Sequence, residues 1–223
     1  MSILFSSLKN KSPAQLLHIA LILSVITICY NIIEGVISVF FGTEDETLAL
    51  FGFGVDSFVE VISGIGILHM VIRTKRNMQS DRNRFERIAL LITGIGFMLL
   101  CGGLIIGSII NIISQHRPQT TTAGIIISLV SLATMLFLYL IKRETGKAMD
   151  SKAIIADAAC TLTCFYLSIV LLGASSFYEL FKIGYFDVIG GVGIAVFAFK
   201  EGWEAITAFR EKKAVCNCGE RLT

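Results

Sequence analysis

Residues 52–72, GFGVDSFVEVISGIGILHMVI, form an apolar run with two carboxylates, Asp56 and Glu60, set inside it. About 20 residues of α-helix, rising 1.5 Å each, cross the roughly 30 Å hydrocarbon core of a bilayer, so this run is long enough to span. A carboxylate at the centre of such a helix costs about 2.5 to 3.5 kcal/mol on insertion scales, and acids kept there usually line an ion or proton path. A spacing of four residues puts both acids on one helical face. A second apolar run, residues 153–172, AIIADAACTLTCFYLSIVLL, carries Asp157, Cys160 and Cys164 at i, i+3 and i+7, which share a stripe. Carboxylates on one helix and thiols on another point to a metal ion.

The rest of the chain is of the same kind. Hydrophobic residues make up 54% and charged residues 16% of the 223, a balance foreign to a soluble domain of this length. Six runs approach or exceed spanning length: Leu16 to Phe41, Thr47 to Ile72, Ile88 to Ile113, Gly124 to Ile141, Ala153 to Gly173 and Gly184 to Phe209. The expected fold is therefore all-α, a bundle of six transmembrane helices. Residues 1–15 form an N-terminal lead that stays attached, 16–209 the transmembrane domain, and 210–223 a short tail bearing Cys216-x-Cys218. Sixteen of the 19 basic residues fall before the first run, between the second and third, between the fourth and fifth, or after the sixth. The positive-inside rule then places both termini in the cytoplasm, with the acidic loop GTEDET on the opposite side, in a cell (plasma or inner) membrane. The net charge of +2 is spent on orientation and contact with anionic lipid, and no nucleic-acid footprint is present.

Cys29, Cys101, Cys160 and Cys164 lie within spans and Cys216 and Cys218 in the tail, so a disulfide framework is not expected. The glycines concentrate on spans two, three and six, where small residues let membrane helices approach; Gly103 and Gly107 have the spacing for it.

If Asp56, Glu60, Cys160 and Cys164 all ionised, four negative charges would share one low-dielectric pocket. A divalent ion reduces that to two, so the empty site is expected to hold protons and to release some when metal binds. Two oxygens and two sulfurs in tetrahedral array suit Zn2+, with Cd2+ or another thiophilic ion as neighbours, while Mg2+ and Ca2+ are disfavoured by the thiols. Asp157 is a supporting or gating acid, Asn31 a supporting or proton-path residue on span one, Glu34 on the same span either a second acid for the cavity and proton path or the partner of a polar residue on another helix, and Asp187 a guide at the outer end. Glu201 and Lys200 read as interfacial, with their charges at the membrane surface. Cys216 and Cys218 are too few for a complete site and read either as part of a reduced, unstructured tail or as capturing cytosolic metal with help from Glu220 or a second chain.

The segments LALFGFGVDSFVEVISG and IIADAACTLTC resemble the cation diffusion facilitator family of divalent-metal transporters. Asn31 and Gly35 on span one, Glu86 at the start of span three and Asp187 at the start of span six extend the resemblance over most of residues 16 to 210. The family builds a tetrahedral intramembrane site from two residues four apart on span two and two on span five. The resemblance carries that over to Asp56 with Glu60 and Cys160 with Cys164. It implies a transporter with no enzymatic step: alternating access moves metal out of the cytoplasm in exchange for protons. The usual span-five pair is His or Asp followed by Asp; cysteines at both positions shift weight to softer metals, with Co2+, Ni2+, Fe2+ and Mn2+ still open. The chain resembles a short form without the family's cytoplasmic domain, similar to a branch with Asn31-x-x-Glu34-Gly35, Glu201-Gly202 and a cysteine-bearing tail. A homodimer would then have to form through the transmembrane helices. Two other readings are a thiol oxidoreductase working through Cys160 and Cys164, relayed by Cys216 and Cys218, and a metal sensor or scaffold that binds without transport.

Overall fold

A computed structural model describes residues 12–44, 47–75, 82–114, 118–119, 121–149 and 152–210. Six helices account for nearly all of them: α1 (Pro13–Glu44), α2 (Leu48–Lys75), α3 (Arg82–Ser114), α4 (Thr122–Ala148), α5 (Lys152–Phe181) and α6 (Tyr185–Arg210). In hydrocarbon no water is available to backbone N–H and C=O groups, so an apolar chain must satisfy them within each segment. α1 to α5 each contain a stretch apolar and long enough to cross a bilayer. α6 has 26 residues, enough by length, but carries Asp187, Lys200, Glu201 and Glu204. The helices α1 and α2, α3 and α6, and α4 and α5 pack most extensively, with α2 central and touching α3, α5 and α6 as well.

Burial is arranged for lipid outside and polarity within. Leu99, Ile113, Leu180 and Val196 are exposed, whereas Asn31, Ser38, Ser128, Ser131, Thr145 and Ser168 are buried. Interhelical polar contacts follow from this: Ser168 on α5 donates to Ser131 Oγ on α4 at 2.9 Å. The apolar core joins Leu50 and Phe53 of α2 to Leu167 and Leu171 of α5 and to Ile194, Ala195 and Ala198 of α6.

Close backbone approach sets the α1–α2 contact. A Cβ at Gly54 would stand 2.7 Å from the Val39 nitrogen and 2.8 Å from Ser38 Cβ. Gly107 faces Leu48, but a Cβ at Gly103 would meet nothing within 4 Å, so the Gly103–Gly107 spacing does not seat a neighbouring helix at both positions within this chain.

Several helix ends run past the expected limits, among them the start of α3 and the C-terminal ends of α4 and α5. α4 continues through the polar KRETGKA to Ala148, and α5 continues past Gly173 to Phe181. The extension of α5 is held by the segment leading into α4: Thr121 Oγ1 donates to Ser175 O at 2.8 Å and the Tyr178 hydroxyl donates to Pro118 O. It ends at Lys182, whose φ of 53° is left-handed and whose N–H returns to Tyr178 O.

Candidate metal site

α2 presents Asp56 and Glu60 to the bundle interior. Asp56 is 3% exposed, and its Oδ1 has no hydrogen-bond partner. Glu60 makes the interhelical contact on which the site turns: its Oε1 is 2.5 Å from Cys164 Sγ on α5. Its second oxygen, Oε2, accepts from Asn31 Nδ2 on α1 at 3.1 Å. Cys164 is buried, with its Sγ also within reach of Cys160 O one turn back, and Cys160 is half-buried on the same helix. The oxygen-bearing helix and the sulfur-bearing helix therefore face one another with no third helix between them.

The four residues are not gathered into a closed coordination shell. Glu60 and Cys164 touch; among the described residues, no three His, Cys, Asp or Glu side chains are arranged to hold one ion. The i, i+4 spacing keeps Asp56 beside Glu60 and Cys160 beside Cys164, one turn away along each helix.

Further acids surround the contact. Glu34 on α1 accepts from Tyr30 OH at 2.9 Å and from Ser57 Oγ at 3.2 Å, the latter on α2 next to Asp56. Asp56 and Glu60 both lie in electrostatic range of Glu34 and of Glu201 on α6. Glu201 is thus part of the interior: it is half-buried and accepts from Thr163 on α5 at 3.3 Å, where its position in the sequence reads as interfacial.

Lys142 departs furthest from its sequence reading. Counted among the charges that orient the chain, it is 1% exposed, with Nζ 3.0 Å from Asp157 Oδ2 and donating to Thr161 Oγ1 at 3.0 Å, both on α5. Asp157 is therefore engaged in an ion pair. Lys142 belongs to no motif, because it opens the polar stretch at the end of an apolar run, and Glu201 enters the sequence reading only through the Glu201-Gly202 of the resemblance, with its charge read as interfacial.

Asp187 sits at the far end. Its two oxygens accept the N–H groups of Leu48 at 2.9 Å and Ala49 at 3.0 Å, so it caps the N-terminus of α2 from the start of α6. Cys216 and Cys218 lie outside the described residues.

A family model described as the cation efflux transmembrane domain matches residues 17–208. Among curated proteins, none matches the chain.

Proposed function

The chain belongs to the cation efflux family, and from that premise we propose that it exports a divalent transition-metal ion, zinc foremost, in exchange for protons, with Asp56, Glu60, Cys160 and Cys164 as ligands. Members of the family are transporters of divalent cations, not enzymes, and the protein is a multi-pass membrane protein. The observation that supports this ligand set is the meeting of Glu60 with Cys164 across the α2–α5 interface, beside a buried Asp56 whose Oδ1 has no partner.

The chemistry follows from the donors. Without metal, the Cys164 thiol donates its proton to the Glu60 carboxylate. A soft divalent cation takes its place, since thiolate and carboxylate ligate only when deprotonated, and metal binding then expels protons. Asp56 and Cys160 complete the shell when α2 and α5 adjust by a fraction of a turn. Two sulfurs favour zinc or cadmium over magnesium or calcium. Outward release needs a second geometry or protonation state that binds the ion less well, because an ion shifts an equilibrium only by its differential affinity.

The test is flux. Purified protein in liposomes carrying a metal-sensitive dye and a pH-sensitive dye should move Zn2+ with counterflow of protons. Asp56→Ala and Cys160→Ala should reduce both signals to the protein-free background while the protein remains folded. Normal metal movement in either variant rejects the ligand assignment; metal movement with no pH signal rejects the exchange.

A further inference from the structure

Lys142 lies near the C-terminal end of α4, among Arg143 and Lys147, on the side that the positive-inside reading makes cytoplasmic. A lysine there ordinarily snorkels outward to water. This one does the reverse. Helical side chains tilt toward the helix N-terminus, and the N-terminus of α4 is at the opposite membrane face, so the Lys142 stem runs inward. Asp157 is near the start of α5, where the same tilt directs its carboxylate back toward the cytoplasm, and the two meet at 3.0 Å. The ammonium reaches past Asp157 to Thr161, one turn deeper on α5 and adjacent to Cys160. Asp157 precedes Cys164 by two helical turns, about 10 Å along the axis. The Lys142 charge also acts on Glu60. An ammonium that is 1% exposed thus lies at the cytoplasmic end of the α4–α5 contact, with its charge acting on Glu60, the acid that meets Cys164.

Resting on the transport reading above, we propose that Lys142 is a tethered counter-cation of the ion path, which an incoming divalent ion must displace before it reaches Glu60 and Cys164. The amine offers one positive charge and the metal two, so a divalent ion competes with it better than a monovalent one does at the same distance. The tether also returns the ammonium once the ion has moved on, which lowers affinity and speeds turnover. Asp157 is its resting partner and keeps it aimed inward. This makes the pair a positioning and selectivity device distinct from the ligands.

The test uses the full chain in nanodiscs and Cd2+ alone as the probe, followed by calorimetry. Lys142→Met leaves the half-buried Asp157 without its partner, so the decisive variant is Lys142→Met/Asp157→Asn, which removes both charges together. It should bind Cd2+ about tenfold more tightly than the wild type and turn over more slowly in liposomes. Lys142→Arg, which keeps the charge, should bind like the wild type. A double variant with wild-type affinity and turnover, or one that does not fold, makes the pair a structural pin between α4 and α5 and overturns the proposal. Glu60→Gln separates the two levels: if it loses Cd2+ while the double variant behaves as wild type, only the role of Lys142 fails. If Glu60→Gln binds Cd2+ normally, the site itself is misassigned and the proposal falls with it.

Discussion

Asp56 is a carboxylate that the bundle buries without satisfying, since its Oδ1 finds no hydrogen-bond partner. A buried polar group left unpaired costs about 1–3 kcal/mol, and an ionised one more. Substitution therefore separates function from stability. Asp56→Asn keeps the shape and removes the charge, so metal flux should fall to background while the thermal midpoint of the purified protein stays at or above the wild-type value. A lowered midpoint with flux intact would make Asp56 a structural group. Asp56, Glu60 and Cys164 were legible in the sequence because a charge or a repeated thiol inside an apolar run is conspicuous. Asn31 was legible as a supporting residue but not as the partner of Glu60, and Glu201 as an interior acid and Lys142 as an interior cation were not legible. Their roles depend on how each helix is rotated and on where it ends. Lys142 precedes RETGK and looks like the start of a loop, yet α4 continues for more than a turn beyond it and holds the side chain against α5.

Helix ends decide what the elements do to one another. α2 starts with Thr47 buried and its first N–H groups unpaired within the helix, and Asp187 of α6 accepts two of them. A carboxylate in that position both caps the helix and meets the positive end of its dipole. The same region is tightly packed, as a Cβ at Gly190 would stand 2.5 Å from Ala174 Cβ on α5 and 3.0 Å from Ala49 Cβ on α2. Asp187 thus fixes the α2 start against α6. Asp187→Ala should lower stability by about 1–2 kcal/mol, with Asp187→Asn intermediate, read as a shift in the denaturation midpoint in detergent. Unchanged stability in the alanine variant would leave Asp187 free for the role at the outer mouth expected from its position. The sequence placed this residue at the start of span six but carried no sign of its partner, because a cap supplied from another helix leaves no local pattern. The end of α5 was hidden for a related reason: the apolar run reads as ending at Gly173, and only the bonds to Thr121 and Pro118 show why the helix goes on.

At the scale of the molecule, six helices were legible from hydropathy, five of them with a stretch apolar and long enough to cross a bilayer, because the bilayer permits few alternatives to a helix of spanning length. Their pairing was not, since lipid and core are equally apolar and only small or polar contacts distinguish neighbours. The observed pairing has a mechanical consequence. α2 is packed most extensively on α1, and α5 on α4, while the α2–α5 contact between these pairs is the thinner one. The proposed ligands lie across that contact, with Glu60 on one side and Cys164 on the other. A metal ion held by both helices ties the two pairs together at a contact thinner than either pair's own. A ligand that binds only the folded state raises stability by RT ln(1 + [L]/Kd), about 2.7 kcal/mol at 100 times Kd. Zn2+ at that level should raise the thermal midpoint of the wild type, Cd2+ should do the same, and Mg2+ should not. The gain should be largely lost in Glu60→Gln and in Cys164→Ser, because each variant removes one of the two donors that meet directly across the α2–α5 contact and leaves an incomplete shell. Stabilisation that survives both substitutions would locate the metal elsewhere in the chain and would separate ion binding from the α2–α5 contact.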